Sequence, residues 1–264
     1  MTDADLVSDL VLVPLDGSPL ADRAVTVALT LLDPARLLLV AVAPGSDAAA
    51  LETHLLDVAA SVAPVPVETI VVPAGDAASV IEAVAATRGA TVCMTSRGRG
   101  ALRRAVLGSV AEEVVARSTR PMVLVGPRCD ATSMRPAGPV LVGNGDATLP
   151  APVADVACAA ARRFGASVLL ATVIHPLDVE GAQHPDDVFE HAAGAIRTRG
   201  VDVATVLERA HAPGDVLAAI ARERESPVVV AAAHHRGGVA RVVIGSTTMA
   251  LLRSAPCPLI VVPD

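Results

Sequence analysis

Short aliphatic runs alternate along this chain with longer stretches in which apolar residues recur every three or four positions, the pattern of buried strands between amphipathic helices. Residues 10–15 (LVLVPL) form a near-continuous apolar run, as a strand buried on both faces requires. Asp16-Gly17 turns the chain. Ser18-Pro19 then supplies an N-cap and a first-turn proline for a helix whose stripe is Leu20, Ala24, Val27, Ala28 and Leu31. Pro34 stops it. The same alternation predicts a strand over 36–42, a helix over 47–61 and a strand over 65–72. Gly75-Asp76 opens a helix to Arg88 with Val80, Ile81 and Val84 inward. Thr91–Met94 is a fourth strand; a basic loop follows, then a helix opened by Gly108-Ser109 and a fifth strand over 121–126.

Prolines, glycine and small polar residues break this rhythm at 127–138 (PRCDATSMRPAG), which reads as a linker. It divides the chain into a domain over 1–127, a linker over 128–138 and a domain over 139–264. Beyond it the order repeats. Strands are predicted at 140–143, 167–174, 201–207, 227–232 and 258–262, with helices at 150–164 and near 187–199 and others opened by Gly214-Asp215 and Gly245-Ser246. Gly245-Ser246 and Pro258 recur at the same offset from Gly108-Ser109 and Pro121, which marks an internal duplication. The fold class is therefore α/β, two tandem doubly wound domains of parallel strands with helices on both faces. In such sheets ligands sit beyond the C-terminal strand ends, where the strand order reverses. Asp16 follows the first strand and Gly98 the fourth, so both line that crevice if the two strands are neighbours.

Composition narrows the chemistry. The net charge of −7 and pI of 5.5 disfavour nucleic acid and anionic membranes as partners. Two Phe and no Trp or Tyr leave no stacking platform for single strands. All 21 basic residues are arginine. Without lysine there is no Walker A loop and no Schiff-base chemistry. Mean hydropathy is high at +0.55, yet no apolar run approaches the ~18 residues of a membrane span. The acidic start, MTDADLVSDL, lacks the basic region of a signal peptide. Cys93, Cys129, Cys158 and Cys257 show no paired spacing and read as reduced core thiols of a cytoplasmic protein. The seven histidines give no metal spacing, and no acid–base or nucleophile constellation stands out.

The segment 90–118 carries the most chemistry. A strand, a glycine-bearing loop and a helix start together can hold an anion on converging backbone N–H groups. Competing readings stand beside it. Ser109-Val110-Ala111-Glu112 is also a capping box that satisfies its own helix. Asp16 is also a plain turn residue. Arg97, Arg99, Arg103 and Arg104 fit either a polyphosphate or a solvated face, with Leu102 and Val106-Leu107 packing the loop down.

These residues resemble the universal stress protein family in its tandem two-domain form. Nucleotide-binding members carry G-x2-G-x9-G-[S/T] after strand four and an aspartate after strand one. Here the loop reads Thr95-x2-Gly98-x9-Gly108-Ser109, beside Pro14-Leu15-Asp16, with Thr95 in place of the first glycine. The resemblance implies two five-stranded sheets of order 3-2-1-4-5 and ATP, with Mg2+, bound in the first domain. By position, Asp16 would meet ribose or adenine, with Pro14 shaping its turn and Val42 against adenine. Met94 and Thr95 would border ribose and phosphates. Gly98, Gly108, Ser109 and Val110 would present N–H groups to the phosphates, with Arg97 beside them. A cyclic nucleotide is an alternative ligand. In the second half His235 falls at the position of Gly98, Ala232 at that of Thr95, and Gly145 or Asp146 at that of Asp16, a degenerate copy. The family also implies pairing of the two halves as a pseudo-dimer through their fifth strands, with homodimers possible. Three functions follow: an ATP-binding stress-response regulator, a slow ATPase at the same site, or an interaction scaffold with vestigial sites.

Overall fold

The computed structural model describes residues 8–43, 47–98, 107–130, 137–144, 148–174, 176, 185–235 and 242–263. In the first half, β1 (Leu10–Pro14), β2 (Arg36–Val42), β3 (Val67–Val72), β4 (Thr91–Thr95) and β5 (Met122–Val125) alternate with four helices. These are α1 (Pro19–Val27, prolonged by a π turn to Leu32), α2 (Ala48–Ser61), α3 (Ala77–Arg88) and α4 (Ser109–Arg117). The second half runs β6 (Val140–Asn144), α5 (Ala151–Phe164), β7 (Val168–Ile174), α6 (Pro185–Arg197) and β8 (Val203–Arg209). It continues with α7 (Pro213–Glu223), β9 (Val229–His235), β10 (Val242–Val243), α8 (Ser246–Ser254) and β11 (Leu259–Pro263).

The strand order is β3-β2-β1-β4-β5-β11-β9-β6-β7-β8. Leaving aside the short β10, each half is a parallel 3-2-1-4-5 sheet, as expected of a doubly wound fold. The halves meet where β5 and β11 pair antiparallel, Leu124 opposite Leu259 and Met122 opposite Val261. Each of these strands would otherwise expose an edge of unpaired peptide groups. The joint therefore satisfies backbone as well as apolar surface.

Why the strands read as unbroken apolar runs is plain from their two faces. Val11, Val13, Leu37 and Leu39 point to one core with α1, α2, α5 and α6. Leu10, Leu12, Leu38 and Val40 point to the other, with α3, α4, α7 and α8. Burying each Leu or Val contributes about 1.5–3 kcal/mol, so these inner strands are apolar on both faces, whereas the edge strands β3 and β8 carry Glu68, Glu208 and Arg209. Alanines such as Ala24, Ala28, Ala157 and Ala161 are fully buried and let helices lie close to the sheet.

Local signals act as read. Ser18 caps α1, its Oγ accepting from Ala21 N at 3.2 Å, and Asp76 caps α3 by accepting from Ser79 N at 2.8 Å. On α3 the buried stripe is Ala78, Ile81 and Ala85, while Val80 and Val84 are only half-buried. Val80 and Val84 nonetheless pack against the same core as Ile81, so the inward placement of all three holds. The segment read as a linker begins packed: Cys129 is fully buried and Asp130 N donates to Pro256 O at 3.3 Å. All four cysteines are buried thiols outside any disulfide. Burial pushes the Cys129 and Cys257 thiols up to about 12 and the Cys93 thiol higher still. Among the described residues, no helix is long and apolar enough to cross a membrane.

Candidate functional site

Because β1 pairs with β4, Val11 opposite Thr91, the turns that leave these two strands share one crevice at the C-terminal edge of the first sheet. After β1 the chain turns at Asp16. Its Oδ1 accepts from Ser18 N at 3.0 Å and from Ser18 Oγ at 2.5 Å, an Asx turn that hands over to the cap of α1. The carboxylate is thereby held at the crevice rather than swinging in solvent.

After β4 the chain folds back at once. Thr95 Oγ1 donates to Arg97 O at 2.7 Å, and the backbone of Gly98 passes against the Asp16 carboxylate. Buried Ser96 acts as a clasp: its N–H donates to Val125 O at 2.9 Å and its carbonyl accepts from Gly108 N at 2.7 Å. Both ends of the loop are thus tied to the strand ends, and Leu107 is buried beneath them. Residues 99–106, which include Arg99, Leu102, Arg103, Arg104 and Val106, lie outside the described residues.

The start of α4 corrects the capping-box reading. Gly108, not Ser109, is the N-cap, with extended φ −78° and ψ 157°, and no side chain caps the helix. Ser109 stands one position further on, exposed, and Glu112 uses its backbone, donating to Gly108 O at 2.9 Å. The sequence misled because both Gly and Ser are good caps, and the tetrapeptide alone does not choose between them. Of the donors expected here, the Gly108 N–H is already engaged by Ser96. In its place the first-turn N–H groups of Ser109, Val110 and Ala111 have no acceptor within the helix. They carry the positive end of its dipole toward the crevice.

An aliphatic slot completes the site. A cavity of about 250 Å³ is lined by Pro14, Asp16, Val42, Met94, Thr95, Arg97, Gly98, Gly108, Ser109 and Val110, all ten of the residues anticipated from sequence. Sequence reasoning missed Val40, Ile81 and Ala111 in the lining, and the clasp at Ser96. Val40 was within reach, since it shares a strand face with Val42; Ile81 on α3 was not, because helix packing sets it there. The lining joins aliphatic side chains to a carboxylate, an arginine and open N–H donors. Such a site suits a flat apolar group joined through hydroxyls to an anion.

The second half departs at the corresponding place. Instead of turning, β9 runs on through His235 and pairs antiparallel with β10, His235 opposite Val242. Residues 145–147, where an Asp16 counterpart was sought, and Gly237-Gly238 lie outside the described residues.

A duplicated doubly wound α/β chain, with an uncapped helix start over an aliphatic slot, is the class that fold and site define. The model of the universal stress protein family matches twice, over residues 9–126 and 138–263, and the chain belongs to that family. A universal stress protein from Archaeoglobus fulgidus DSM 4304 is similar in structure, with 19% identity over 97% of this chain and 98% of its own and a TM-score of 0.69. A functionally unknown protein from Pseudomonas aeruginosa PAO1 shares 16% identity over 100% of this chain and 95% of its own, with a TM-score of 0.66. A universal stress protein from Archaeoglobus fulgidus, solved in complex with dAMP, covers 48% of this chain and 98% of its own at 20% identity and a TM-score of 0.37. No curated protein matches the chain.

Proposed function

We propose that the chain binds one adenine nucleotide, ATP, in the first half and works as a nucleotide-responsive regulatory module of the cytoplasmic stress response. The observation that carries this reading is the convergence of the Asp16 carboxylate with the open donors of Ser109, Val110 and Ala111 across one slot. Adenine would lie between Val42 and Met94, the ribose hydroxyls on Asp16, and the phosphates at the start of α4 beside Arg97. Aliphatic walls favour the base by burial rather than stacking. The glycines at 98 and 108 keep the backbone low enough for phosphate to approach.

A Mg2+ ion would travel with the phosphates. In the described lining Asp16 is the one carboxylate, and its Oδ1 already accepts two bonds from Ser18. Magnesium commonly uses one or two carboxylates together with substrate phosphates, so this set fits an ion brought by the nucleotide. Apart from Asp16, the described lining offers no side chain suited to serve as a base for water, which favours binding over turnover.

A second reading, an interaction module, is favoured by the antiparallel β5–β11 joint, through which one chain would act as its own pseudo-dimer. Native mass spectrometry of gently purified protein tests both. We expect one retained nucleotide mass per chain, and calorimetric heat with ATP and Mg2+ after stripping. No retained mass and no heat would leave the interaction reading.

A further inference from the structure

The second half holds a cavity of its own, about 300 Å³, at the same end of its sheet. Strand register fixes which residues correspond. Thr95 pairs with Val125 in the first half as Ala232 pairs with Val262 in the second, and Met94 and Ala231 precede them. Pro14 pairs with Val40, two residues before the lining Val42; Gly143 pairs with Ala171, two before the lining Val173. At three wall positions the second half therefore has the smaller residue: Gly143 for Pro14, Ala231 for Met94 and Ala232 for Thr95. These exchanges leave less side-chain bulk along the cavity walls.

The polar end changes in kind. The first cavity has Asp16 and Arg97 in its lining, whereas the described lining of the second has no ionisable side chain. Where Gly98 turns the loop in the first half, His235 continues an extended, paired strand. Among the described residues, a phosphate in this space would meet the open N–H groups that start α8 but no charged side chain beside them. What the cavity offers is hydroxyls on Ser246, Thr247 and Thr248, and aliphatic surface on Val153, Leu217 and Leu251.

We infer that this second cavity binds an uncharged amphiphile, an aliphatic body ending in one hydroxyl or carbonyl, and not a nucleotide. The duplicated halves then read two different ligand chemistries. This holds whether or not the first cavity takes ATP.

Calorimetry on the full chain with 1-octanol as probe tests it, with sodium octanoate and ATP as comparisons. Saturable binding of octanol is expected, unaltered by saturating ATP. Ala231→Met, which restores the bulk present at Met94, is expected to weaken octanol at least tenfold while leaving the ATP isotherm unchanged. Ala232→Thr serves the same purpose if the methionine variant does not fold. The inference is overturned by any of four results: no saturable octanol binding, octanoate bound as tightly as octanol, two ATP per chain, or octanol binding unmoved by either folded variant.

Discussion

A β-carbon placed on Gly98 would lie 2.4 Å from Oδ2 of Asp16, closer than two such atoms tolerate. The two residues sit on different strand ends, so the glycine is what lets the β4 turn close over the β1 carboxylate. No left-handed backbone is involved at Gly98, and the constraint is one of space alone. Gly98→Ala is expected to push the carboxylate off its Ser18 bonds and weaken ATP at least tenfold, about 1.4 kcal/mol. Residue 98 is exposed, so the melting temperature should scarcely move. Combining it with Asp16→Ala should give less than the sum of the two losses, since each variant removes the same contact. Additive losses in calorimetry would show that the pair is not coupled.

Gly108 makes a sharper test because stability and affinity should move in opposite directions. A β-carbon there meets nothing nearer than Ser96 O at 3.6 Å, so serine fits. Its hydroxyl would cap α4 by accepting from the N–H of Val110 or Ala111, gaining a few tenths of a kcal/mol over glycine. Those are the donors assigned to phosphate. Gly108→Ser should therefore raise the melting temperature slightly and lower ATP affinity severalfold. A variant that binds ATP as well as the parent would mean that the phosphates lie elsewhere.

Much of this site was legible before any coordinates, and the reason is local. Strand ends, turns and helix starts are written in short stretches such as Pro14-Leu15-Asp16 and Gly108-Ser109, and the strand order of a doubly wound fold brings them together. What was illegible depends on tertiary distance. Ser96 became a clasp because Gly108 returns to it across the loop. Ile81 joined the slot because α3 packs beside α4. The choice of Gly108 over Ser109 as cap rests on where the clasp holds the chain, which no tetrapeptide encodes. In the second half the extension of β9 through His235 was foreshadowed only as a missing glycine.

Two carboxylates, Glu82 within α3 and Asp76 capping it, should give the chain a pH dependence of opposite signs. Glu82 has its Oε1 buried without a hydrogen-bond partner, and burial raises its pKa against the opposing field of Arg117. Its folded form binds the proton more tightly, so its contribution is favourable at acid pH and is lost as pH rises through the raised pKa. Glu82→Gln, which cannot ionise, should then favour the protein more at neutral pH than in acid. Asp76 behaves the other way. The Ser79 hydroxyl and N–H hold its pKa down, so its contribution is present at neutral pH and lost as pH falls through that lowered value. Asp76→Asn keeps the cap and should flatten the acid limb. Melting curves from pH 3 to 8 on both variants check the two signs, and parallel curves would refute them.

The last relationship spans the halves. Arg163, on α5, donates from Nε to Leu31 O at 2.9 Å, and its Nη2 lies 3.6 Å from Asp33. Leu31 sits in the π turn that ends the first helix, so a cation from one half meets the negative helix end of the other. Arg163→Met keeps the apolar stem and removes the charged donor. A charge-assisted bond at a partly exposed site is worth about 1 kcal/mol, which lowers the melting temperature by roughly 2–4 °C in a chain of this size. ATP affinity should not change, because the first cavity lies at the opposite end of α1. The form of the transition is the more telling readout. With β5 and β11 hydrogen-bonded and the two cores continuous across them, both halves should melt in one calorimetric transition that shifts as a whole. A split into two transitions, only one of them moved by the variant, would mean that the strand joint does not couple the halves.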